Sequence, residues 1–161
     1  MYTNIINLIE KNHGIKLDMS KIDDHDPKVY ALIASGNTEG IFQLESAGMK
    51  NFMKELAPTC LEDIIAGIAL YRPGPMDFIP QYIKGKNDQS SITYDCPQLE
   101  PILKATYGCI VYQEQVMQVF RSLAGYSFGR ADVVRRAMAK KKHKVMQQEK
   151  NAFIYGDTDE N

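Results

Sequence analysis

"QEQVMQVFRSLAGYSFGRADVVRRAMAKKKHK", residues 113–144, carries two apolar stripes at helical spacing with a Gly-Tyr-Ser break between them. Val116, Met117, Phe120 and Leu123 recur at three- and four-residue intervals and predict the buried face of one helix. Ser127 offers a hydroxyl suited to capping the next. A helix laid over about 129–140, at 100° per residue, gathers Val133, Val134, Ala137 and Met138 into one stripe. Arg135 then falls on the far side, with Arg136 and Lys140 one turn apart beside it. Lys141 would return to the apolar stripe, so the helix should end or bend between Ala139 and Lys141.

The basic end of this stretch stands out against the whole. The 161-residue chain has net charge −1, yet residues 132–144 hold two adjacent arginines and four lysines. Residues 1–64 sum to −4, residues 65–129 to zero and residues 130–161 to +3, with +6 over 130–150 alone. Such asymmetry points to an anionic partner more than the net value does. Cations at a helix C-terminus are also favoured by the macrodipole without any ligand. Arginine's planar fork suits phosphate oxygens, and lysine adds point charge. On this stretch alone a solvated face and a phosphate site both stay open.

Composition bounds the rest. At 44% hydrophobic and 24% charged, the chain reads as an ordinary soluble globular protein of about one domain. No apolar run reaches the ~18 residues a membrane span needs. The start, "MYTNIINLIEKN", is amphipathic and lacks a signal-peptide pattern. Cys60, Cys96 and Cys109 form no CxxC pair, which argues against a disulfide framework or a zinc site. A reducing cytoplasm is the expected setting.

Working outward, the fold class is mainly α, with irregular loops and at most a short β element. Tyr2, Ile5, Ile6, Leu8 and Ile9 mark a helical face that ends near Gly14. Asp26-Pro27 reads as a capped helix start, and that helix carries Val29, Tyr30, Leu32 and Ile33 up to Gly36. Ser46 caps a helix that buries Met49, Phe52, Met53 and Leu56 before Pro58. "CLEDIIAGIALY" is a further apolar helix, broken by "RPGP" because Pro73 pushes Arg72 out of the α region. Residues 73–97 read as irregular, with "KGKNDQSS" a polar loop. A short helix covers 98–105, "GCIVY" is β-like, and "VMQQEKNAFIY" forms the last helix. The closing residues 157–161 read as a frayed tail. No repeat or composition break divides the chain, so 1–161 is expected to be a single unit.

Few residues outside the basic stretch suggest chemistry. Glu39 and Glu45 read as helix-start acids, since no aspartate stands at a useful spacing for a shared metal. Tyr112, Gln113 and Gln115, in "TYGCIVYQEQVM", could stack on a base and hydrogen-bond to it; the competing reading is a tyrosine anchored in the core. Arg72 could face a ligand from a rigid loop or simply follow a helix terminator. His13, His25 and His143 are isolated. No nucleophilic triad, P-loop or GxGxxG occurs. Asp23-Asp24 and Glu62-Asp63 are neighbours, a poor arrangement for sharing a metal on a helix.

Taken together, "GIFQLESAGM", "IAGIALYRPGPM", "TYGCIVYQEQVMQ", "LAGYSFGRADVVRRAMAKKK" and "FIYG", in that order, resemble the C-family replicative DNA polymerases of bacteria, the alpha subunits of DNA polymerase III. The resemblance covers about residues 18–156. It implies the end of the palm running into the fingers, the part that holds the incoming dNTP. It also implies that Arg135 and Arg136, helped by Lys140, reach the triphosphate. Tyr112, Gln113 and Gln115 would floor the nascent base pair, with Arg72 on the nucleotide or template side. Primer-template DNA, the rest of the polymerase chain and other replisome subunits are the implied partners, with no membrane. The family's Mg2+ ligands, three aspartates, belong upstream of this region; "KIDDHD" does not replace them, so these residues should not polymerise DNA alone. The family often has glycine where Ala139 stands, which would make a left-handed bend there costlier. A stand-alone helical nucleic-acid-binding module and a helical protein–protein adaptor are the competing functions.

Overall fold

The computed structural model describes residues 2–156; the tail expected at 157–161 lies outside the described residues. Nine α-helices follow one another among these residues, joined by 3-10 turns, and no strand occurs. They are α1 (Tyr2–His13), α2 (Pro27–Ser35), α3 (Ala47–Leu56), α4 (Leu61–Leu70), α5 (Ile79–Asn87), α6 (Glu100–Leu103), α7 (Gln113–Ala124), α8 (Phe128–Ala139) and α9 (His143–Tyr155).

Local chemistry sets most of these boundaries. The Asp26 carboxylate accepts from the Lys28 N–H with Pro27 at the first helical position, and Gly36 closes α2 in the left-handed region. Ser46 accepts from Met49 N–H and Ser127 from Arg130 N–H, opening α3 and α8. Gly125, also left-handed, ends α7. The segment expected to be β-like, 108–112, is turn and irregular backbone, because no second strand among the described residues lies beside it to complete its hydrogen bonds. Residues 73–97, expected to be irregular, instead include the whole of α5, whose last turn is the "KGKN" expected in a loop. Tertiary packing decides this: Tyr82 of that helix is buried in the core, and Gly85 sits against Tyr107.

Two apolar cores result. The first joins α2, α3, α4 and α5 through Ile33, Met49, Phe52, Met53, Leu56, Leu70 and Tyr82, with Cys109 completing it. The second joins α7 and α8 through Met117, Tyr126, Ala131 and Val134. α9 packs on α8, where the Arg130 Nε donates to Glu149 Oε2 at 3.0 Å and the Arg130 guanidinium lies 4.1 Å from the Tyr126 ring centre. A part-buried cation ties the first core's helix ends. Lys86 Nζ donates to the Leu56 and Ala57 carbonyls at 3.1 and 2.8 Å and stands 3.4 Å from Asp63 Oδ2. That oxygen also accepts from the Thr59 N–H at 2.9 Å.

Not every predicted apolar face is covered. α1 makes no extensive contact with another described helix, and Ile5 and Leu8 are exposed. Val29, Leu32, Leu123, Val133 and Met138 are exposed too, so each stripe is narrower than periodicity alone suggested.

Candidate functional site

Where the two cores meet, separated parts of the chain surround one open cleft of about 500 Å³. The loop after α4 brings Arg72, the start of α7 brings Tyr112 and Gln113, and α8 brings Arg135. Lys141, just beyond α8, completes the rim. Ala69, Ile110, Val116 and Met138 are among its apolar walls. Arg72 is held by its backbone: its N–H donates to Leu70 O at 2.7 Å, and its carbonyl accepts from the Met76 N–H at 3.1 Å. The Arg72 side chain is exposed and has no hydrogen-bond partner among the described residues.

α8 ends at Ala139, as the stripe geometry required, and the left-handed residue is Lys141, at φ 50°. The strain expected at Ala139 is therefore displaced two positions onward. That turn swings Lys141 off the apolar stripe and onto the cleft.

The adjacent arginines do not share one opening. Arg135, with 26% of its side chain exposed, donates from Nε and Nη2 to Asp132 Oδ1 at 2.8 and 2.6 Å. Its Nη1 donates to Gln113 Oε1 at 2.6 Å. Arg136, 57% exposed, stands with Nε 3.0 Å from Asp132 Oδ2, donates from that nitrogen to the Asp132 carbonyl at 3.5 Å, and lines a second cleft of about 250 Å³ with Lys140 and Lys142. One carboxylate thus bridges both guanidiniums. The Arg135 hydrogen bond, above all, holds the Asp132 carboxyl below the usual aspartate range. Both arginines are bridged, and both still line open clefts.

The residues expected at the base pair divide. Tyr112 is half-buried, packs its ring against the first core and lines the cleft; burial, then the Glu62 and Asp63 charges, raise its hydroxyl pKa. Gln113 is exposed at the cleft, held by Arg135. Gln115 is buried and does not reach the cleft. Its Oε1 accepts from the Val111 and Tyr112 N–H groups, both at 2.9 Å. Its Nε2 donates to Ile102 O at 3.2 Å and Thr106 Oγ1 at 2.7 Å. The side-chain amide is consumed in fixing the turn that presents its two neighbours. Asp132 and Lys141 were absent from the sequence expectation. The acid's spacing of three and four from the two arginines was a legible signal; the lysine's position depended on a turn that periodicity does not encode.

Among the described residues, potential metal-ligating side chains gather at one turn. Asp23, Asp24 and His25 bring ligand atoms within 4.8 Å of one another, but all three are exposed. They sit in a turn where Asp23 Oδ1 accepts from the His25 N–H at 2.9 Å, so neighbouring acids converge as they would not on a helix. Asp132, beside the cleft residues, is occupied by two guanidiniums. Glu39 pairs with Lys50, and Glu45 Oε1 accepts from the Gly40 N–H at 3.1 Å.

Residues 1–161 match the bacterial DNA polymerase III alpha subunit finger domain family. Over 152 residues the chain is 49% identical to the DNA polymerase III subunit alpha of Halalkalibacterium halodurans and to that of Staphylococcus aureus strain COL, covering 94% of this chain. The strain Mu50 protein of the same name is 50% identical over 148 residues, 92% of the chain. In each case the match spans 14% of the relative's length.

Proposed function

The chain belongs to the bacterial DNA polymerase III alpha subunit finger domain family, and on that premise we propose that its cleft takes the triphosphate of an incoming deoxynucleoside triphosphate during template-directed DNA synthesis. One observation carries this reading. Arg72, Arg135 and Lys141, cations from three separate segments, line a single open cleft that also exposes Tyr112 and Gln113. Cations at the phosphate end suit phosphoryl transfer, where the protein's contribution is largely positioning and stabilisation of charge. Tyr112 and Gln113 supply a ring edge and an amide for the base or sugar. Arg136, Lys140 and Lys142 extend the basic surface on the adjoining face of α8, within reach of the same polyanion or of the primer-template backbone.

The reaction belongs to the full-length polymerase. Mg2+ ions would be held by carboxylates elsewhere in that longer polymerase chain. The rest of the polymerase chain and other replisome subunits complete the proposed assembly, in the cytoplasm; no described helix is long and apolar enough to cross a membrane.

Steady-state kinetics of the full-length polymerase test the reading. Arg135→Ala and Arg136→Ala should each raise the nucleotide KM and lower kcat, with a combined loss of about ten- to a hundredfold, as expected for one charge-assisted bond to phosphate. Unchanged constants in both variants would reject the assignment.

A further inference from the structure

We propose that Asp132 is a positioning residue for the nucleotide site: its carboxylate, shared between Arg135 and Arg136, fixes the orientation of the Arg135 guanidinium at the edge of the cleft. The inference rests on the phosphate-binding reading above and adds the group that sets its geometry.

Asp132 lies one turn before both arginines on α8, so helix geometry fixes all three relative to one another. A guanidinium has five N–H donors. Asp132 and Gln113 use three of those on Arg135, one on each nitrogen. That holds the plane of the group from two sides and leaves two N–H donors for a ligand. Without these contacts the arginine's long side chain would choose among many rotamers, and binding would have to bear the ordering cost. Gln113 reaches across from α7, so the same contacts also set the arginine relative to Tyr112 and the turn before it.

Arg136 is held differently. Its only short side-chain ion contact is Nε on the other carboxylate oxygen, and its terminal nitrogens have no partner among the described residues. One acid therefore orders two neighbouring cations unequally, Arg135 rigidly and Arg136 loosely. A lone counterion would be satisfied by contact with either cation. Oδ1 turned to Arg135 and Oδ2 turned to Arg136 is an arrangement only an ionised carboxylate offers, because an amide would present a donor to one of them.

Asp132→Ala and Asp132→Asn in the full-length polymerase test this, with Arg135→Ala and the Asp132→Ala/Arg135→Ala double variant as companions. For Asp132→Ala the expected result is a nucleotide KM raised about tenfold and a lowered kcat, as for loss of one charge-assisted contact. Asp132→Asn should fall between that and the parent. The double variant should be no worse than Arg135→Ala, because Asp132 acts through that arginine. A lowered KM in Asp132→Ala would mean that the carboxylate merely neutralises the cations and would overturn the proposal. So would a change confined to the melting temperature, or losses that multiply in the double variant. If Arg135→Ala itself leaves the KM untouched, the phosphate reading fails and takes this inference with it. If Arg135→Ala raises the KM while both Asp132 variants match the parent, the positioning role alone is rejected.

Discussion

Gln115 shows how one side chain can look like a ligand group and act as a fastener. Its amide accepts two backbone N–H bonds from the turn before α7 and donates two more, to Ile102 in α6 and to Thr106. Gln115→Leu keeps the volume roughly and leaves the Val111 and Tyr112 N–H groups without that acceptor. A loss of about 2–4 kcal/mol is expected from buried groups left unsatisfied, read as a lower denaturation midpoint. A normal midpoint with altered nucleotide selection would instead place the side chain in the site. The sequence displayed the residue but not its direction. A glutamine three positions into a helix can reach back to the backbone or out to solvent, and only the packing of 102–106 against it decided.

Among the elements, α5 and α8 differ in how tightly their glycines are enclosed. A Cβ on Gly85 would stand 2.7 Å from Tyr107 Cβ and 3.0 Å from the Tyr107 carbonyl oxygen. Tyr107 cannot easily move away, since it is already left-handed at φ 52° and the next residue's N–H is bonded to Leu103 O at 3.0 Å. Gly85→Ala should therefore destabilise by about 1–3 kcal/mol, overpacking outweighing alanine's better helix propensity. Nothing lies within 4 Å of a Cβ on Gly129, in the first turn of α8. Gly129→Ala should be neutral or stabilise by up to about 1 kcal/mol. Thermal melts of the two variants check the contrast, and equal shifts would show that the α5 contact is looser than described. Helix starts such as Asp26-Pro27, Ser46 and Ser127 were legible because a cap is a contact between near neighbours. The helical state of "KGKN" was not, because its support comes from Tyr107, some twenty residues on.

For the whole molecule, the first core makes a prediction about alkali. Burial pushes the Cys109 thiol up to about 11 from an ordinary 9.0. Burial also raises Tyr82, Tyr107 and Tyr112, with the Asp63 charge adding to all three. An acid whose folded pKa exceeds its unfolded one holds its proton longer in the folded state. Its contribution is complete below the unfolded value and disappears as pH rises through the folded one. Stability should accordingly be flat up to about pH 9 on this account and decline above it, by at most about 1.4 kcal/mol per pH unit for each such group. Circular dichroism melts from pH 8 to 11 measure this; a melting temperature that holds constant across that range would show that these groups are not buried as described.

Sequence alone determined that this is a helical protein, where most helices begin and end, and which family its motifs resemble. Those features are written in periodicity, caps and motif order, which act over a few residues or accumulate along the chain. Tertiary structure alone decided that Arg135 and Arg136 face different clefts, that Arg72 and Lys141 join the first, and that Gln115 turns inward. The physical reason is that a side chain's direction is fixed by whichever partner through space satisfies its charge or hydrogen bonds. Here those partners, Gln113 for Arg135 and the Ile102–Thr106 turn for Gln115, come from other elements of the fold.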